Sequence, residues 1–560
     1  MTPRAEAVLA EAADGHLLTI HEGATPAVTE VVAPADLARR VAAVEQRLAP
    51  RWVWADTGVA LPPLLQAGVR VARSHDLRLC RVILRGAVGT PPADPAWDHR
   101  ADPASGTLPL FDTRPAPEDV RAERDRQRAA LAAAPDPGRL AVLLAAESAG
   151  ALVAAEMRHD GLPWSVGAHE QILTGLLGPR PRPGGRPEVL QRLATEIRTA
   201  LGAPQLNPDS PAELLRALRG AGLTVHTTRR WELRELDHPA IGPLLEYKKL
   251  ARLHSANGWA WLDTWVHVLP DGRARFHPDY VPGGVVTGRW ATRGGGALQL
   301  PKQVRGAVVA DPGWRLVVAD VAQLEPRVLA GMSRDERMAA AARGRDLYQG
   351  LVDQGVVDTR EHAKVALLGA LYGATTGRSA ELLPALVRAF PRAMATVEEA
   401  ARRGEAGDVV RTWLGRTSPP PPPSWQEAQR RASEPDATAA DRRRAGQGAR
   451  DWGRFTRNFV VQGTAAEWAL CWLADLRGRL RSLGGDPHLV FFLHDEVVVH
   501  SPAALADDVA DAVRTSATAA GGLLFGTFPV DFPLDVAVVR DYGQADGWTG
   551  FEDHPGVLPE

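Results

Sequence analysis

Leu316-Val317-Val318-Ala319-Asp320 constrains the fold of this chain more than any other stretch. An apolar, partly β-branched run of this length reads as a buried strand. It ends on a carboxylate, which is costly at the end of a buried strand unless something pairs it. A metal ion is the simplest partner. An aspartate that caps the next helix is the plain structural alternative. Glu325 follows five residues after Asp320, with Arg327 just behind it.

A second stretch, Pro487 to His500, is an apolar strand, a polar break and an apolar strand. That pattern predicts a β-hairpin with His494, Asp495 and Glu496 at the bend. If the hairpin lies beside the strand ending at Asp320, two aspartates converge. Two carboxylates sharing two magnesium ions suit an in-line phosphoryl displacement. An ordinary exposed turn is the alternative.

A third stretch, Arg360 to Gly373, has helical spacing throughout. Arg360, Lys364, Leu368 and Tyr372 fall four apart and form one stripe. Two cations at one end suit a triphosphate, and an apolar and an aromatic residue below them suit a base pair. A surface helix with a charged edge has the same pattern.

Composition narrows the partners. The 560 residues are too many for one core, so several domains are expected. A net charge of −2 gives no global attraction for nucleic acid, so any basic surface is local. The two cysteines, Cys80 and Cys471, do not make a disulfide framework or a cysteine zinc site, and they suit a reducing cytoplasm. The polar start of the chain has no signal-peptide core. No run of apolar residues reads as a membrane span. Gly294-Gly295-Gly296 lacks a following Lys-Ser/Thr and is no phosphate-binding loop.

The three stretches, in this order, resemble the polymerase domain of bacterial DNA polymerase I, family A. Two more blocks are similar to family signatures: Thr287-Gly288-Arg289 with Leu298-Gln299, and Arg454 to Glu467, which resembles the minor-groove helix. The resemblance covers residues from about 150 to 560.

It implies a multidomain α/β chain. An N-terminal 3′–5′ exonuclease-like (RNase H-like) domain over 1–145 would precede a right-hand polymerase domain over 146–560. The thumb would span about 146–275, the palm about 276–345 and 456–560, and the fingers about 346–455. It also implies a monomeric, cytoplasmic, template-directed DNA polymerase acting in replication or repair. The partners would be primer–template DNA and dNTPs, with two Mg²⁺ and no membrane. The chain has no room for an added 5′-nuclease domain.

The implied roles are specific. Asp320, Asp495 and the Val321 backbone carbonyl would hold the metals, with Glu496 a supporting carboxylate. Asp320, Asp495 and Lys364 would be the catalytic set. Arg360, Lys364, Leu368, Tyr372, Gln323 and Glu325 would bind the nucleotide. Arg289, Arg454, Asn458, Gln462 and His494 would grip the DNA, and the basic run Arg442-Arg443-Arg444 would meet template phosphate or lie on a solvated helix edge.

Ala322, Tyr348 and Leu368 depart from the family, which has serine, histidine and an aromatic residue there. A single-subunit RNA polymerase shares the plan, but Glu325 would block a ribose 2′-OH. A non-catalytic DNA-binding relative is the other rival.

The exonuclease motifs are incomplete. Asp56 and His75-Asp76 resemble the middle motif. The opening Asp-x-Glu is missing, with only Leu17 to Glu22 as a candidate strand within residues 1–50. Glu123-Arg124-Asp125 is helical but wrongly spaced for the third motif. The expectation is a degenerate domain that braces the thumb, with active proofreading as the alternative. Pro92 to Pro117 reads as a loop.

Overall fold

The computed structural model describes residues 5–547 except 24, 89–118, 183, 345 and 374–376. The loop expected over Pro92 to Pro117 lies outside the described residues. Two compact units divide the chain. The first comprises Met1–Asp160, Asp279–Thr292 and Ala319–Val536. The second comprises Gly161–Pro278, Arg293–Val318 and Ala537–Glu560.

The first unit opens on a mixed five-stranded sheet ordered β3-β2-β1-β4-β5. Its strands are β1 (Glu6–Ala12), β2 (Gly15–His21), β3 (Val28–Val32), β4 (Arg51–Trp54) and β5 (Arg73–Asp76). β1 pairs antiparallel with β2 and parallel with β4, so it occupies the centre. The expected first strand, Leu17 to Glu22, is therefore corrected: it falls on β2. The central strand is the short Ala-Val-Leu-Ala run before it, whose alanines give a weak strand signal.

Asp56 caps the Thr57–Gln66 helix by accepting from the Gly58 amide at 2.8 Å. Asp76, at the end of β5, is buried and accepts from the amides of Thr57 at 2.7 Å and Leu79 at 3.0 Å.

The Pro137–Asp160 helix is long and apolar enough to cross a membrane by length and composition, a feature the sequence reading passed over. Its apolar window is 72% buried inside the fold, which is the environment of a core helix. It packs on β5 and on the Thr57–Gln66 and Ala439–Leu483 helices. The expected boundary at 145/146 falls inside this helix.

The Ala439–Leu483 helix is 45 residues long and opens on a Thr438–Asp441 capping box. The expected fingers–palm boundary at 455/456 falls inside it, because its apolar residues keep helical spacing from Phe455 onward and nothing breaks it. Its Arg477 reaches the N-terminal layer, bonding Glu156 at 2.7 and 2.8 Å and the carbonyls of Val71 and Ala72. The bracing seen within the first unit is thus against this long helix. Pro422 is extended, and Pro423 opens the next helix at its first turn, where its missing N–H costs nothing.

The second unit holds an antiparallel sheet, β6 (Leu162–Trp164), β8 (Ala274–Phe276) and β7 (Val266–Val268), in that order. Trp164, Trp261 and Phe276 pack against one another with ring centroids 5.1–6.1 Å apart. Lys248 turns its ammonium to Thr228, and Lys249 lies 3.4 Å from Glu246.

Back in the first unit, β9 (Tyr280–Val281) and β10 (Ala291–Thr292) form a two-stranded ribbon. The chain also forms a four-stranded sheet, in the order β12-β13-β11-β14. It is built from β11 (Trp314–Val321), β12 (His488–Leu493), β13 (Glu496–Pro502) and β14 (Leu534–Val539).

Candidate active site

The run from Leu316 to Ala319 is buried in β11, and Asp320 emerges half-buried beside the strand end. The hairpin β12–β13 pairs Leu493 with Glu496, which leaves His494 and Asp495 as its two-residue bend. His494 takes a left-handed backbone at φ 56°. The Val321 amide donates to the Asp495 carbonyl at 3.0 Å. That bond stitches the end of β11 to the bend, so Asp320 and Asp495 stand at neighbouring backbone positions. Glu496 is buried at the first position of β13.

The bend is held from below. A register shift between Leu489 and Phe491 marks a bulge in the hairpin. Tyr280 clamps the strand just beyond it, donating to the Phe492 carbonyl at 2.8 Å and accepting from its amide at 3.1 Å. Trp290 packs edge-on to Phe492, with centroids 4.9 Å apart.

After β11 the chain turns at Gln323, whose φ of 48° is left-handed, and enters the Leu324–Ser333 helix. This turn brings Glu325 back toward the strand end. One Glu325 oxygen pairs with Arg289, and the other accepts from the Tyr372 hydroxyl at 2.8 Å. Arg327, fully buried, bonds the Ala322 and Ala342 carbonyls and the Asp531 carboxylate at 2.7–2.9 Å. It is therefore a structural strut and does not reach toward solvent.

The Arg360–Tyr372 helix has the bounds its sequence predicts. Thr359 caps its start, and Gly373, with φ 69°, ends it. Arg360, Lys364 and Leu368 are half-buried along one stripe, and Tyr372 is exposed. Arg360 bonds Asp346 at 2.9 and 3.3 Å, and its guanidinium lies 5.7 Å from the Tyr348 ring centre. Gln323 donates to the same Asp346 oxygen at 3.1 Å and accepts from the Leu347 amide. Partial burial of its ring, reinforced by the Glu325 carboxylate, raises the Tyr372 phenol above its ordinary value. The same causes, with Asp346 added, act on Tyr348.

Arg454, Asn458 and Gln462 lie four apart on the Ala439–Leu483 helix; Arg454 is exposed and the other two are half-buried. Arg442, Arg443 and Arg444 are exposed near the start of that helix.

Three groups thus meet by contact: Val321 with Asp495, Arg289 with Glu325 and Tyr372, and Gln323 with Asp346 and Arg360. The sequence reading missed Asp346, although an aspartate three residues before the Gln349 amide it caps is a legible cap signal. It also missed Arg457, which donates to the Ala370 carbonyl at 2.9 Å and so ties the long helix to the Arg360–Tyr372 helix.

Among the described residues no group of three or more His, Cys, Asp or Glu side chains gathers as a metal cage. The donors at the β11 end are two carboxylates and main-chain oxygen. That set fits a hard ion such as magnesium, which usually binds one or two carboxylates and completes its shell with water and substrate phosphate.

Residues 187–548 match the family model described as DNA polymerase family A. The chain belongs to that family, whose members use a divalent metal. It is 29% identical over 337 residues to the thermostable DNA polymerase I of Thermus filiformis, covering 55% of this chain and 37% of that protein. It is 27% identical over 394 residues to the thermostable DNA polymerase I of Thermus aquaticus, covering 63% and 43%. The chain thus spans about two-fifths of these curated relatives. A solved structure, the POL domain of Pol1 from M. smegmatis in complex with DNA primer-template and dNTP, superimposes with a TM-score of 0.67 at 18% identity. It covers 98% of this chain and 97% of that one, so the shared fold includes the N-terminal layer.

Proposed function

We propose that this chain is a template-directed DNA polymerase that adds dNTPs to a primer 3′ end. The observation that carries the reading is the Val321–Asp495 bond, which sets two aspartates side by side at the mouth of the sheet. Asp320, Asp495 and the Val321 carbonyl would hold two Mg²⁺, with Glu496 supporting them. Bound there, the ions supply charge neutralisation at the attacking 3′-oxygen and at the pyrophosphate.

The side chains around them have separate tasks. Lys364 places an ammonium on the phosphate side of the helix and holds a proton for the leaving pyrophosphate. Arg360 exchanges its Asp346 partner for a phosphate oxygen, a trade between two anions that a guanidinium makes readily. Glu325, pinned by Arg289 and Tyr372, stands where a ribose 2′-OH would otherwise fit. Tyr372 and Leu368 offer the nascent base pair a flat and an apolar surface. Arg454, Asn458, Gln462 and His494 grip the duplex without reading its sequence.

The 1–145 domain serves as a brace and not as a proofreading nuclease. The supporting observation is that two of its carboxylates are taken up by arginines: Glu6 pairs with Arg124 and Arg128, and Glu123 with Arg81 and Arg126. The chain acts in the cytoplasm as a monomer. A primer-extension assay with dNTPs or rNTPs tests the reading. Extension with dNTPs alone supports it, extension with rNTPs favours an RNA polymerase, and no extension with retained DNA binding favours a non-catalytic relative.

A further inference from the structure

We propose that Glu147 and Arg416, which touch none of the groups assigned above, are positioning residues for sugar selection. The inference rests on the reading of Glu325 as the residue that excludes a ribose. Arg289 holds one oxygen of Glu325. Arg289 sits at the end of a tight turn, in which the Gly288 amide donates to the Val285 carbonyl at 2.8 Å and the Val285 amide to the Arg289 carbonyl at 3.1 Å. The reach of Arg289 is therefore set by whatever supports that turn.

The support is a buried ion pair. Glu147, on the Pro137–Asp160 helix, is fully buried, and Arg416 is 7% exposed. Arg416 Nη2 donates to Glu147 Oε2 at 2.5 Å. Each partner lies against one glycine of the loop between β9 and β10, which carries Arg289. A Cβ built on Gly288, whose φ is +87°, would lie 2.6–2.8 Å from the Arg416 guanidinium. A Cβ built on Gly283, with φ +62°, would lie 2.8 Å from Glu147 Oε1. A side chain at either position would sit on strained backbone and press on the pair, so the loop that carries Arg289 rests directly on it. Thr287, between them, is buried, and its carbonyl faces Gly463 of the long helix.

Arg416 is itself fixed. Its amide donates to Thr412 Oγ1 at 2.9 Å, and the Thr412 hydroxyl donates to the buried Glu467. The Leu414 amide donates to the other Glu467 oxygen at 2.8 Å.

A buried ion pair is a poor device for stability, since a hydrophobic pair of similar volume often does as well. A flat guanidinium that slides beneath a residue lacking a Cβ does something that pair would not. It sets the height of the turn and hence the point where Arg289 meets Glu325. Burial outweighs the guanidinium at Glu147 and holds its carboxyl above the usual carboxylate range.

The test compares kcat/KM for a dNTP and the matching rNTP in the parent, Glu325→Ala, Glu147→Gln, Arg416→Lys and the double variant Glu147→Leu/Arg416→Met, with a thermal melt of each. We expect Glu325→Ala, Arg416→Lys and Glu147→Gln each to lower the dNTP-to-rNTP ratio, the last two by about tenfold. The double variant should recover the melting midpoint but not the ratio. A ratio that returns with the midpoint in the double variant overturns the proposal, because the pair then acts through stability alone. So does a parental ratio in Arg416→Lys and the double variant while Glu325→Ala lowers it. A parental ratio in Glu325→Ala itself overturns the Glu325 reading, and this inference with it.

Discussion

Tyr372 donates its phenolic hydrogen to Glu325 Oε2 at 2.8 Å, across 47 residues of sequence. The bond joins the end of the Arg360–Tyr372 helix to the turn that leaves β11. It links the residue proposed to face the base pair to the residue proposed to block the ribose, with Arg289 as the third member.

Glu325→Ala should therefore relax sugar discrimination by removing the block, and Tyr372→Phe should relax it less, by freeing the carboxylate to swing. Single-nucleotide incorporation kinetics with dNTP and rNTP check the order. Equal ratios in parent and Glu325→Ala would remove Glu325 from this role.

Asp320→Asn and Asp495→Asn should each abolish nucleotide addition and leave primer–template binding intact. Charge stabilisation worth several kcal/mol corresponds to a loss on the order of a thousandfold in rate. Rapid-quench extension together with an anisotropy titration separates chemistry from binding, and near-parental extension by either variant would refute the assignment.

The N-terminal layer should show no 3′–5′ shortening of a mismatched, end-labelled primer incubated with Mg²⁺ and no dNTP. The carboxylates of Glu6 and Glu123 are each bonded by two arginines and are not offered to a metal. Stepwise products that persist in Asp320→Asn and vanish in Asp56→Ala would contradict this.

Asp76 gives that layer a pH dependence. Burial first, then the nearby Asp56 charge, pushes its carboxyl up to about 6 from an ordinary 3.8. A carboxyl whose pKa is raised by folding binds its proton more tightly in the native state. Its contribution to stability is therefore full below about pH 4 and is lost as the pH rises through about 6. Thermal melts between pH 4 and 7 should show this decline, and Asp76→Asn should flatten it; an unchanged slope in that variant would refute the link.

Local signals determined much of this protein. The apolar run ending at Asp320, the polar break at His494-Asp495 and the four-residue spacing from Arg360 to Tyr372 each specify an element through its own periodicity, and each element formed with those residues. Long-range partners were decided only in three dimensions. β1 is the central strand although its alanines carry little strand signal, because pairing on both sides stabilises it. The Ala439–Leu483 helix runs through an expected domain boundary, since periodicity within a helix does not record which layer each turn packs on. Arg416 meets Glu147 across 269 residues. No spacing rule links residues so far apart, and burial, which makes either charge costly without the other, exists only once the chain has folded.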